Sequence, residues 1–470
     1  MQWHRKEKAM KVKRILAIFL AAVSVFTMTA CTQTDSQTTT DSQAADSTSG
    51  KYQITAVNYP ESAVYPNLED YAKGDGTYDE DAYEEVYEKW SDARRERVSQ
   101  IDIYTDKLDS YLAKSIPALL NEENSENKIC SPINIYIALA MLTEITDGES
   151  RQQVLDLLGC ESIEDVRTYA KAIWNSNYID DGNNASILAN SIWMNENVNY
   201  KMDSLKSLAE NYYISSFKGT MGSDEYNKAL QDWINEQTGG LLKEQASDLK
   251  MEPETILNLV STIYFKAKWY DSFDSTTTKQ DTFHAATGDV TCDFMHGSET
   301  TNYFWGDNFS AADKMLDQTG NIRFILPDEG VTPEELLNDE EVLDLIMNGW
   351  DVEVEEQHIV NFSIPKFDVS SDKDIVENLK TLGVKDVFGT DADFTPLTED
   401  TSVYISKVDH AARAKIDEEG VEAAAYTVMA LAGSAAPSGE EVDFKLDRPF
   451  IFVICGNDGL PLFVGIVHQP

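Results

Sequence analysis

The chain runs to 470 residues, 42% of them apolar, with 38 Lys and Arg against 82 Asp and Glu and a formal net charge of −44. Such a length suits one large domain with appendages or two to three average ones. The acidity excludes nucleic acid and unaided attachment to anionic membranes, both of which need a basic footprint, and reads most simply as a solubilising surface outside the cell.

In chain order, His4, Arg5, Lys6, Lys8, Lys11, Lys13 and Arg14 precede an apolar run from Ile15 to Met28. The run is short for a bilayer span, so residues 1–30 read as an export signal. It ends in Met28-Thr29-Ala30-Cys31. A small residue directly before a cysteine at this place resembles a bacterial lipoprotein cleavage box. That resemblance implies lipidation of Cys31 and anchorage on the outer face of a bacterial membrane. An ordinary cleavage site with an incidental cysteine is the alternative. Residues 31–50 continue as Thr, Gln, Asp, Ser and Ala, a composition that cannot bury a core and predicts a flexible tether.

Residues 51–100 form an acidic, tyrosine-rich extension, in which Tyr83, Val86, Tyr87 and Trp90 have the spacing of one helical face. It is expected to pack on the following domain or to dock a partner. From Ile101 to Leu120 the apolar residues again recur at helical spacing. Ile129-Cys130 reads as a strand, and Ser131-Pro132 as the start of a buried helix. A buried strand is expected over Ile187–Met194, a strand and turn over Asn321–Gly330 and a further strand over Val360–Phe367. Cys130, Cys160, Cys292 and Cys455 show neither C-x-x-C nor metal-ligand spacing, and buried free thiols are favoured over disulfides. No metal or cofactor is expected. An enzyme fits poorly: G-x-S-x-G and H-E-x-x-H are absent, and S-x-x-K at Ser363–Lys366 and Ser247–Lys250 lacks its partner motifs.

Asp417-Glu418-Glu419-Gly420-Val421-Glu422-Ala423-Ala424-Ala425-Tyr426-Thr427 and the small-residue run to Gly439 belong to neither class. The alanines favour helix, whereas Val421, Tyr426 and Thr427 favour strand. As a strand, Val421, Ala423, Ala425, Thr427 and Met429 face one way, and Glu422, Ala424, Tyr426 and Val428 the other. The small first set suits entry into a packed sheet.

This stretch, with Lys407–Ile416 before it and Phe444–Phe452 after it, resembles the hinge and reactive loop of the serpins. The resemblance extends in order over 101–470. It implies a mixed α/β (α+β) fold with a large central sheet A, further sheets B and C, about eight or nine helices and an exposed reactive-centre loop. It assigns Glu418, Glu419, Gly420, Val421, Ala423, Ala424, Ala425 and Thr427 to the hinge. The shutter behind the sheet falls on Ser131, Asn134, Ser261 and His410, where Asn134 and Ser261 look like an exchange of the family's usual Ser and Asn. Trp269 falls at the breach, where the loop first enters.

In the family's inhibitors the residue before the scissile bond usually lies sixteen places after the first hinge Glu, so from Glu418 the resemblance implies a cut at Ser434-Ala435. Leu431 and Met429 are alternatives, because the loop is a few residues long downstream. A small residue at the cut suits elastase-like or subtilisin-like proteases, and the lack of Lys or Arg between Val421 and Glu441 disfavours trypsin-like ones. The implied function is covalent trapping of a target serine protease by loop insertion, in a monomer that meets the membrane only through its lipid anchor. The alternative is a non-inhibitory member acting as a cell-surface binding module.

Overall fold

The computed structural model describes residues 49–57, 59–74, 76–122, 124–348, 357–400, 402–421 and 440–470. They fall within one compact unit, Asp46–Pro470. The signal over 1–30, Cys31, Ala423, Ala424, Ala425, Thr427, Met429, Leu431, Ser434 and Ala435 lie outside the described residues.

The chain enters through a 3-10 turn at Ser49–Tyr52, which takes up two residues expected in the tether, and β1 (Gln53–Thr55). Helix α1 (Glu80–Ser99) then carries the expected Tyr83, Val86, Tyr87, Trp90 face, with Asp79 capping its first turn. Next come α2 (Thr105–Leu120), β2 (Lys128–Cys130), α3 (Pro132–Ile145), α4 (Gly148–Leu158), α5 (Ile163–Asn177), β3 (Ile179–Asp180) and β4 (Ala185–Asn195). They are followed by α6 (Met202–Tyr212), β5 (Ile214–Gly219), α7 (Asp224–Gln237), α8 (Lys243–Asp248), β6 (Leu257–Lys268), β7 (Lys279–Ala285) and β8 (Gly288–Trp305). The chain continues through β9 (Phe309–Leu316), β10 (Gly320–Pro327), α9 (Pro333–Leu336), α10 (Glu340–Met347), β11 (Gln357–Pro365), β12 (Phe367–Asp374), α11 (Val376–Thr381) and β13 (Ile405–Ile416). It closes with β14 (Gly420–Val421), β15 (Glu441–Lys445), β16 (Phe450–Cys455) and β17 (Pro461–Val467). Eleven α-helical segments stand among the described residues, eight of them eight residues or longer.

Two sheets organise these elements. The first runs β1-β5-β4-β6-β14-β13-β12, with β3 on β4. The second runs β15-β11-β8-β9-β10-β16-β17-β2, with β7 on β8. The 18-residue β8 pairs with β7 and β11 along its first part and with β9 at its end. The sheets expected separately as B and C are thus joined through one strand. Phe444–Phe452 spans two strands: β15 lies parallel on β11, Leu446–Pro449 turns, and β16 starts at Phe450.

Helix α3 is apolar on all sides, and nearly every residue is buried. A helix of that composition needs cover all round, and it sits in the main core with β6 and β17. Helix α7 covers the opposite face of the first sheet, packing Tyr226, Leu230 and Trp233 with Trp193, Phe217 and Val260. Cys130, Cys160 and Cys455 are buried free thiols, and Cys292 is a half-buried one.

The N-terminal extension is fastened to this frame by its tyrosines. β1 adds to the edge of β5. Tyr52 packs on Tyr226 of α7 at 4.9 Å, and Tyr59 stacks on Trp174 of α5 at 5.4 Å. The Trp90 indole N–H donates to Asp181.

Candidate functional site

The hinge sits where β13 turns back toward β6. β6 and β13 pair directly, in parallel, from Leu257↔Ile405 to Thr262↔Ala411. Higher up, β14 stands between them: Val421 is antiparallel to Ile416 on one side and to Ala267 on the other, and Gly420 is opposite Lys268. Val421 is 1% exposed. Gly420 has φ +152°, and a Cβ there would meet the Ala267 carbonyl oxygen at 2.2 Å. Glycine is therefore needed at the pivot for close approach as well as for backbone freedom.

Trp269 holds the carbonyls of this turn. Its indole N–H donates to the Asp417 oxygen at 2.9 Å, and its backbone N–H to the Glu419 oxygen at 3.0 Å. Its ring meets Phe273 edge-on at 5.9 Å, and the buried Lys314 ammonium lies 5.4 Å from the Trp269 centroid and 2.8 Å from Glu299. Glu418 is fixed by Lys366 at 2.8 Å and by the Thr278 hydroxyl at 2.8 Å. Burial opposes its ionisation, but these partners and its own backbone amide hold the carboxyl below its ordinary range. The expected hinge and breach residues Glu418, Glu419, Gly420, Val421 and Trp269 therefore form one contiguous cluster. Thr278, Lys314 and Lys366 were missed, since each lies far along the chain and carries no local signal.

About midway down the first sheet lies the second cluster. Ser131 caps α3 through its hydroxyl, and its backbone N–H donates to His410 Nε2 at 3.0 Å. His410 stands opposite Ser261 across the β6–β13 ladder. The Asn134 amide donates to the Thr262 carbonyl at 2.6 Å and accepts from Asn190 at 2.8 Å. The exchange of Ser and Asn is not reciprocal. Asn134 satisfies its amide from the helix side, whereas the buried Ser261 hydroxyl has no hydrogen-bond partner among the described residues. An unmade bond of that kind costs about 1–3 kcal/mol, and it sits on the ladder that must part if a strand is to enter. Asn190 was missed: nothing in the run Ile187–Met194 sets it apart from its neighbours.

Complete burial pushes the His410 imidazole down to about 4, and its hydrogen bond from Ser131 suits the neutral ring. A histidine held below its usual value of about 6.5 contributes fully above that pH, and its contribution is lost as pH falls from about 6.5 to about 4, on the order of 3 kcal/mol in all. Thermal scans at pH 7.5 and pH 5 are expected to show a lower midpoint at pH 5, with the difference reduced in His410→Gln. An unchanged difference would count against His410 as the source.

Comparison with known proteins bears on the same residues. The Serpin (serine protease inhibitor) family matches residues 110–470. The chain is 30% identical over 368 residues to the leukocyte elastase inhibitor of Sus scrofa, covering 75% of this chain and 95% of that protein. It is 28% identical over 363 residues to alpha-1-antitrypsin of Meriones unguiculatus, covering 75% and 86%. Among solved structures it resembles tengpin, a thermophilic serpin in the native state, with TM-score 0.69, 28% identity and coverage of 77% and 94%. Thyroxine-binding globulin in complex with thyroxine shares the fold at 22% identity and TM-score 0.68, covering 77% of this chain and 99% of that one. Since the matched segment takes in β2 to β17, the fork between β6 and β13 and the strand seated in it, the chain belongs to the serpin family.

Proposed function

We propose that the protein is a suicide-substrate inhibitor of serine endopeptidases with elastase-like or subtilisin-like specificity. The carrying observation is the fork in the first sheet: β14 lies antiparallel between β6 and β13, and the same two strands are joined in parallel below it. Entry of the following residues replaces one parallel ladder, the weaker kind per residue, with two antiparallel ones. The intact chain is then held short of its best pairing by the continuity of its own loop.

A protease serine attacks the Ser434 carbonyl, the bond to Ala435 breaks, and the amine leaves with Ala435. The freed arm inserts while the ester persists and carries the bound protease along the sheet. Cutting at Leu431 instead shortens the arm by about 10 Å, at roughly 3.3 Å per residue.

The test is incubation with an elastase-like and a subtilisin-like protease, followed by a denaturing gel and a thermal scan. A covalent complex and a large rise in the melting midpoint of the cleaved form are expected. Cleavage with neither favours a non-inhibitory binding role. We also infer an exported protein lipidated at Cys31, supported by the sequence over 1–31. Retention in the membrane fraction that survives Cys31→Ser would count against it.

A further inference from the structure

The lower part of the first sheet carries a buried carboxylate in an apolar setting. β6 and β13 pair directly as far up as Thr262↔Ala411, and above that level β14 stands between them. A strand entering from the hinge has to part the rungs from Thr262 down to Leu257. On one face of those rungs stand His410 and Ser261, toward α3. On the other face, Val260 and Ala411 join Trp193 and Leu230 in the apolar cluster under α7. Alternation puts Asn258 and Asp409 on that second face, each two residues before Val260 and Ala411. Asn258 is fully buried and Asp409 is 3% exposed. The Asn258 amide donates to Asp409 Oδ2 at 3.0 Å, so one side-chain bond crosses the line along which the strands must separate. Lys407, two residues before Asp409 on the same strand, holds the other carboxylate oxygen at 2.6 Å.

A polar pair is costly here. Burial holds the Asp409 carboxyl above its ordinary range in spite of both partners, and the Asn258 carbonyl oxygen has no hydrogen-bond partner among the described residues. Well-packed apolar side chains of similar size often serve as well or better in such a place. Lys407 decides what the pair can do. Because it shares a strand with Asp409, its ion pair survives when β6 and β13 separate, and only the bond to Asn258 is lost. Paired strands lie about 4.8 Å apart, and a third strand between them doubles that distance, which carries Asp409 out of reach of Asn258.

We propose that Asn258 and Asp409, with Lys407 as counter-charge, are positioning residues for loop insertion: a releasable clasp that holds the lower rungs shut until the arm arrives from above. This rests on the inhibitory reading and deepens it at the insertion step. Asn258 lies four residues below Thr262, about 13 Å along β6 at roughly 3.3 Å per residue. The first part of the arm therefore enters without touching the clasp, and the remainder has to break it. A hydrogen bond to a carboxylate is of the stronger kind. Its place on the parting line makes it part of the barrier to insertion and no part of the inserted state.

The probe is a synthetic peptide with the sequence of residues 422–434, offered to the intact chain and followed by the rise in melting midpoint as it enters between β6 and β13. Asn258→Leu is expected to take it up about tenfold faster than the parent, a factor within the range for a hydrogen bond to a charged group. Adding Asp409→Leu gives no further gain, because the two residues act through one bond. The peptide-loaded forms of the parent and of Asn258→Leu are expected to melt together, since the bond is already broken in both. Equal or slower uptake in Asn258→Leu overturns the clasp and leaves the inhibitory reading standing. Faster uptake, with the loaded form melting as far below the parent's as the unloaded form does, overturns it in favour of a packing role alone. A parent that traps protease while neither chain takes up peptide overturns the clasp as the barrier. A parent that takes up no peptide and traps no protease overturns both readings.

Discussion

On the inhibitory reading proposed above, replacing Val421 with Glu is expected to turn a protease trap into a protease substrate. Val421 lies between Ala267 and Ile416 with 1% of its surface exposed. A carboxylate there is buried with no cation placed to receive it. Lys366, the nearby base, is already engaged with Glu418 at 2.8 Å. The effective cost of burying such a charge is several kcal/mol. Each 1.4 kcal/mol added to the barrier of insertion slows it about tenfold, while hydrolysis of the acyl-enzyme proceeds at its own rate. The ratio of covalent complex to cleaved chain on a denaturing gel is therefore expected to fall by more than about tenfold in Val421→Glu and to hold in Val421→Thr, which keeps the size and β-branching. Equal ratios in Val421→Glu and the parent would show that the arm need not pass through this position.

The second large effect concerns the frame. Arg323 and Asp313 face each other across β10 and β9 with fully buried side chains. The guanidinium grips the carboxylate through Nε at 2.7 Å and Nη2 at 2.9 Å, and Nη1 donates to the Leu345 carbonyl of α10. The pair thus ties the second sheet to a helix. Asp313→Ala leaves a buried cation without its counter-charge, and removal of one partner from such a pair typically costs about 3–5 kcal/mol. A lower urea midpoint is expected, largely restored in Asp313→Leu with Arg323→Met, which substitutes apolar packing for charge. An unchanged midpoint in Asp313→Ala would mean that water reaches the guanidinium.

Much of the frame could be read from local pattern. The apolar run at Ile187–Met194 became part of β4, and the spacing of Tyr83, Val86, Tyr87 and Trp90 became one face of α1. Alternation along the hinge placed Val421 inward, and it is buried. What escaped notice depends on register between distant segments. Ser131 meets His410 across 279 positions and Trp269 meets Asp417 across 148. The level at which β6 and β13 part, between Thr262 and Ala267, is set by the hydrogen-bond ladder and not by any residue type. Asn190 and Lys366 look ordinary in their own stretches. Each acquires its meaning from strands that arrive elsewhere in the chain.

A sheet with the short β14 seated in its middle also has two outer strands, and bare outer strands invite copies of a protein to stick side by side. Here both rims are dressed. β1, a short piece of the N-terminal extension, occupies part of β5 on one side. On the other, β12 presents Asp368, Asp372 and Asp374, with Arg413 held by Asp368. The exposed Asp372 and Asp374 oppose a like-charged neighbour there, and the N-terminal extension takes up part of the opposite border. Together they leave little bare border on the first sheet for a second copy to pair with.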